Sequence, residues 1–109
     1  MRNRWRMMQA ALAALCVALS GAVVAQGDPE AGRDKAATCL GCHGVEGYTN
    51  AYPNFRVPKI GGQNEQYIVA ALQAYKQEQR PHGTMQAQAQ TLNEQDIQDI
   101  AAYFAGIGQ

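Results

Sequence analysis

The stretch Cys39-Leu40-Gly41-Cys42-His43 decides how the rest of this chain is read. A C-x-x-C-H run is the attachment signature of a c-type haem. Two thiols three residues apart at a helix end can each form a thioether to one of two neighbouring porphyrin vinyl groups. The next residue, His43, then lies beneath the iron as proximal ligand. One covalently attached haem c, held by Cys39 and Cys42, is the expected cofactor. Rival readings of the pentapeptide fare less well. A thioredoxin-like C-x-x-C needs a βαβ setting, and no convincing alternating strand pattern occurs in the chain. Cys39, Cys42, His43 and the only other histidine, His82, make a formal Cys2His2 zinc set. Zinc ligands, however, come in spaced pairs, and here a histidine abuts a ligand cysteine.

Working outward, three helices are expected around the motif. Asp28 as N-cap and Pro29 at the first helical position start one that runs into Cys39, so that the haem motif closes a helix. Gly32 within it costs helix stability and hints at a close approach by another helix. A second helix fits Glu65 to Gln79, with Asn64 as cap, an apolar stripe of Tyr67, Ile68, Ala71, Leu72 and Tyr75, and Pro81 as terminator. The third runs from Glu94 to about Ala105. Asn93 caps it, Leu92 and Ile97 can form a hydrophobic staple, and Ile97, Ile100, Ala101 and Phe104 share one face. The first helix, with its Gly32 notch, is the available surface for that face to pack on. Gly44 to Gln63 reads as loop and is expected to wrap one edge of the haem.

Beyond the leader described below, Met85 is the only methionine. It falls in Gln79 to Gln90, a glutamine-rich segment without apolar periodicity, read as a loop with little core to fill. Such a loop can bring a thioether to the iron opposite His43, and Met/His ligation raises the reduction potential. His82 is the competing sixth ligand and would lower the potential. With both axial positions filled by protein, the chemistry left to the iron is one-electron exchange through the haem edge.

The chain opens with Arg2, Arg4 and Arg6, continues through an apolar run from Ala10 to Val24, and reaches small residues at Ala25. Basic region, short apolar core and small residues before a cut are the parts of a secretory signal peptide, so residues 1–25 are expected to be removed after export to the periplasm. The apolar run is short for a membrane span, which needs about 18 or more apolar residues, and no stable membrane insertion is expected after cleavage. Residues 26–109 then form a single domain carrying six basic and nine acidic residues, a net charge of −3. That balance argues against nucleic acid as partner, which rewards clustered positive charge. So small a core is only marginally self-sufficient, and a flat apolar cofactor tied to the chain would supply much of the missing buried surface.

On these residues the chain resembles the class I cytochromes c, most closely the small monohaem proteins similar to one half of the dihaem cytochrome c4, including the c553 proteins. The resemblance rests on Cys39-x-x-Cys42-His43-Gly44, Pro53-Asn54-Phe55, Pro58-Lys59-Ile60-Gly61-Gly62-Gln63, Tyr67-Ile68, Arg80, Met85 and Asp99-Ile100-Ala101-Ala102-Tyr103-Phe104. It implies an all-α fold of three main helices and loops around one haem. It also implies that the Pro53 carbonyl meets the His43 ring NH and that Gly32 sits at the crossing with the C-terminal helix near Tyr103. Phe55-Arg56-Val57-Pro58 is longer than the family's usual Phe-Pro junction, and there is one haem motif where cytochrome c4 has two. The implied function is a soluble one-electron carrier between redox proteins, not an enzyme. A haem-bearing subunit of a dehydrogenase or oxidase complex is the alternative. A haem sensor would require a displaceable sixth ligand.

Overall fold

A computed structural model describes residues 26–108, in which Asp28 caps the first helix. The expected signal peptide over 1–25 lies outside the described residues. The Asp28 carboxylate accepts from the Glu30 backbone N–H at 2.9 Å, and Pro29 takes the first position of helix α1, Pro29–Lys35. One residue later the chain re-enters a helix, α2, Ala37–His43. The joint is Ala36, fully buried, with ψ flattened to 0°. Its N–H still donates to Gly32 O at 2.8 Å and its carbonyl accepts from Leu40 N at 3.0 Å. The single helix expected to end at Cys39 is therefore two segments nearly in series, and it carries on through His43.

Between α2 and the next helix, two-residue strands β1, Thr49–Asn50, and β2, Phe55–Arg56, pair antiparallel with Thr49 opposite Arg56 and Asn50 opposite Phe55. Asn64 then caps α3, Glu65–Lys76, by accepting from Tyr67 N at 3.0 Å. This helix stops three residues short of the expected Gln79, before Pro81 can act. Glu78 adopts a left-handed φ of 59°. Gln79 N donates to Ala74 O at 2.9 Å and Glu78 N to Tyr75 O at 3.1 Å. These are the two bonds of a Schellman cap.

The segment expected as a loop around Met85 forms a further helix, α4, Gly83–Gln90. Its run of Thr, Met, Gln and Ala contains good helix formers, and only Ala89 is buried along it, so no apolar stripe marks it in the sequence. The last helix, α5, Glu94–Gly106, starts on a full capping box: Asp96 N donates to Asn93 Oδ1 at 2.8 Å and Asn93 N to Asp96 Oδ2 at 3.0 Å.

The core is a cluster of Ala36, Ile68, Leu72, Ile97, Ile100, Ala101 and Phe104, with Leu40, Ile60, Met85 and Leu92 against it. Ile97, Ile100, Ala101 and Phe104 all come from the predicted face of α5. That face meets α1 at the glycine notch: a Cβ at Gly32 would overlap the backbone carbonyl of Asp99 and lie 2.9 Å from Tyr103 Cβ. Gly27 is similarly close to the Gln98 carbonyl. Asp99, 2% exposed, holds the crossing. It accepts from Asp28 N at 2.8 Å, Gln95 Nε2 at 2.8 Å and Lys35 Nζ at 2.6 Å. Lys35 also pairs with Asp96 at 2.9 Å. The Asp28 N–H, and next the Lys35 ammonium, hold the Asp99 carboxyl at about 2. The ends of the chain's described part are thus bound together, and α2, α3 and α4 are left to surround a cleft.

Candidate haem site

That cleft measures about 460 Å³, within the roughly 300–1,000 Å³ of cofactor sites. Cys39, Cys42 and His43 of α2 line it, and so do His82 at the start of α4, Thr84 and Met85. Ile68, Ala71, Leu72 and Tyr75 of α3 line it as well, and Phe55, Val57, Pro58 and Ile60 come from the loop. The C-x-x-C-H donors and Met85, the lone methionine among the described residues and 42 residues beyond His43, thus border one largely apolar space.

Each donor has a local cause. Cys39 is half-buried, Cys42 is exposed, and no disulfide joins them. Burial pushes the Cys39 thiol up, the reverse of what a redox-active C-x-x-C nucleophile requires. Among the described residues, no three His, Cys, Asp or Glu side chains converge to hold a metal ion, so the formal zinc set is not assembled.

His43 Nδ1 lies 2.7 Å from the carbonyl oxygen of Pro58. A carbonyl only accepts, so Nδ1 carries the proton and Nε2 keeps the lone pair a metal needs. This corrects the expected partner, Pro53. The β1–β2 pairing puts residues 51–54 at a hairpin tip, where Pro53 is exposed and its carbonyl accepts from Asn50 Nδ2 at 2.7 Å. Val57 N donates to Tyr48 O at 3.0 Å, which carries the returning strand to Pro58 beside His43. The extra length of Phe55 to Pro58 was the available signal, since it shifts the proline that reaches the imidazole.

Met85 is half-buried and packs against the core cluster. His82 also lines the cleft. Its ring stands edge-on to Phe55, centroids 4.6 Å apart, and to Tyr75 at 6.3 Å. Arg80 lies over the Tyr75 ring at 4.8 Å. The cap role of His82 carried no sequence signal because imidazole is not among the usual N-caps, and the cleft positions of Tyr48, Asn50 and Thr84 depend on how distant segments meet.

A largely apolar cleft with two thiols and an imidazole of fixed tautomer on one helix fits a covalently held haem. The family model described as cytochrome c matches residues 30–107. The chain belongs to the cytochrome c family. Cytochrome c4 of Pseudomonas aeruginosa is 43% identical over 91 residues, taking in 84% of this chain and 44% of that protein. Cytochrome c-554(548) of Halomonas halodenitrificans is 42% identical over 84 residues, 72% of this chain and 95% of that protein. The crystal structure of reduced cytochrome c4 from Pseudomonas stutzeri superposes with a TM-score of 0.60 at 40% identity, covering 74% of this chain and 46% of that one. The chain spans about half the length of the cytochromes c4 it matches. It has the all-α fold of a class I monohaem cytochrome c similar to one half of cytochrome c4, and a covalently bound c-type haem is its cofactor. Among the described residues of this cytochrome, no helix is long and apolar enough to cross a membrane.

Proposed function

We propose that this cytochrome c is a one-electron carrier between redox proteins, with haem attached through Cys39 and Cys42 and iron held between His43 and Met85. The observation that carries the reading is the single cleft bordered by the C-x-x-C-H helix and Met85. Bound haem supplies one-electron exchange between ferric and ferrous iron. The chain's own residues do the rest. The Pro58 carbonyl holds the His43 ring so that Nε2 faces the work of ligation. Ile68 and Leu72, both buried, keep water from the floor of the cleft. Met85 offers a soft thioether that favours the reduced state. If His43 and Met85 both held the iron, no position would be left on it for a substrate, which supports a carrier rather than an enzyme. The leader composition and the family together support export to the periplasm after cleavage behind Ala25.

Two measurements test the reading. Intact mass after acid-acetone treatment is expected to keep haem on the chain; free extraction would refute thioether attachment. Met85→Ala is expected to keep the haem but lose the methionine-iron charge-transfer band and lower the reduction potential. An unchanged band and potential would remove Met85 from the iron.

A further inference from the structure

The second histidine of the chain borders the same cleft without belonging to the C-x-x-C-H motif, and its geometry is unusual for a ligand. His82 stands immediately before α4 with extended backbone, and its Nδ1 accepts from the Met85 backbone N–H at 3.3 Å. An imidazole that accepts at Nδ1 carries its proton on Nε2 when neutral. Neither nitrogen then offers a free lone pair to iron. What the ring does instead is close the first turn of the helix on which Met85 rides, in the place where Ser, Asp or Asn usually caps.

The ring also ties that turn to the rest of the cleft wall. It is wedged edge-on against Phe55 from β2 and faces Tyr75 from α3. The residues around it are cross-linked to the same turn: Gln86 N donates to His82 O at 2.9 Å and Gln86 Nε2 to Arg80 O at 3.0 Å. Arg80 in turn lies on Tyr75. The helix has no apolar stripe to seat it, because only Ala89 of α4 is buried. Ala89 and the backing of α3 seat its far end, and the first turn fixes the end that carries Met85.

We propose that His82 is a positioning residue for Met85: by capping α4 through Nδ1 and anchoring the ring between Phe55 and Tyr75, it holds the Met85 thioether at the cleft. It is not itself the sixth ligand. The inference rests on the reading of Met85 as an iron ligand and adds what keeps that ligand in place. An ordinary cap-to-alanine change shifts its local equilibrium by roughly five- to tenfold. Loss of His82 is expected to raise the population with Met85 displaced by about that factor.

The test uses the holoprotein and imidazole as the probe that competes with Met85 for ferric iron. His82→Ala is expected to bind imidazole about five- to tenfold more tightly than the unaltered protein and to weaken the methionine charge-transfer band. His82→Asn keeps a capping acceptor and is expected to recover much of the loss; His82→Phe keeps a ring without the acceptor and is expected to recover less. Urea midpoints measured in parallel separate positioning from general destabilisation. A lowered midpoint with unchanged imidazole affinity would overturn the positioning role. The Met85→Ala arm reports separately on the underlying reading: if it keeps the charge-transfer band, ligation by Met85 fails. If it loses the band while His82→Ala matches the unaltered protein in imidazole affinity, only the role of His82 fails. Loss of the low-spin spectrum in His82→Ala but not in Met85→Ala would make His82 the ligand.

Discussion

At Asp99 three donors converge on one buried carboxylate, and the consequence is a defined response to acid. Its carboxyl is held at about 2 by the Asp28 N–H and then by Lys35, against roughly 3.9 in an unfolded chain. A group whose folded value is depressed contributes stability that is fully present above the unfolded value and is lost as pH falls through the folded one. Stability from this site is thus expected to hold above about pH 4 and to drain away between about 4 and 2. Asp99→Asn is expected to cost about 2 kcal/mol at neutral pH, the worth of a charged hydrogen bond. Urea unfolding across that pH range checks both statements, since the variant's profile should be flatter in the acid limb. Gly32 belongs to the same crossing. Gly32→Ala would drive a methyl group into the Asp99 carbonyl, and backbone cannot swing aside as a side chain can. A loss of about 2–3 kcal/mol is expected on the scale of overpacking, read in the same urea experiment.

Among the elements, α3 and α4 show how a helix boundary is decided. Pro81 is a sufficient terminator for α3, yet the helix ends earlier, because Glu78 enters the left-handed region and closes a Schellman cap. Glutamate pays for that conformation with steric strain at Cβ, which glycine lacks. Glu78→Gly is therefore expected to raise stability by about 1 kcal/mol, less the exposed hydrogen bond that Glu78 accepts from Gln90. A fall in the thermal midpoint would show that the Gln90 contact outweighs the strain. The α4 segment shows the opposite situation. It has helix-forming residues but no apolar period, so hydrophobic patterning gave no sign of it. Its cap is an imidazole, outside the residues usually read as N-caps.

For the molecule as a whole, the cleft occupies the place where a larger protein would have core. The buried cluster is supplied by α3 and α5 together with Ala36, while Cys39, Leu40, Ile60 and Met85 pack against its edge. Haem filling the cleft would complete that core. The variant with both Cys39→Ser and Cys42→Ser is accordingly expected to unfold with a lower midpoint and a shallower urea dependence, because less apolar surface is buried in one cooperative unit. Charge at this scale is also organised. Arg56, Lys59 and Arg80 line the cleft, whereas the fourth nearby cation, Lys76, donates to the Leu92 carbonyl. Among the described residues, the ion pairs are those of Lys35 with Asp96 and Asp99; Arg56 and Lys59 are exposed at the cleft, and Arg80 stacks on Tyr75. Electron transfer with an acidic redox partner is expected to slow about tenfold from low to high ionic strength. Replacing Arg56 and Lys59 by glutamine is expected to flatten that dependence. Rates insensitive to salt with both acidic and basic partners would leave these cations no steering role.

Several features could be read from the chain itself because they close within a few residues: the C-x-x-C-H donor set, the Asn64 and Asn93 caps, the Asn93–Asp96 box and the apolar face of α5. Gly32 was legible too, since a helix tolerates an interior glycine only at some cost. Tertiary structure alone decided the rest. The imidazole of His43 takes Pro58 instead of Pro53 because a hairpin turns Pro53 outward, and pairing register depends on both strands at once. Asp99 reads as one more surface acid until α1 is laid across α5 and closes off its solvent. Met85 was singled out by being alone, but the helix under it exists because His82 caps its first turn and α3 backs it. Hydrogen bonds between neighbours are written in local sequence. Contacts between distant segments are written only in how those segments pack.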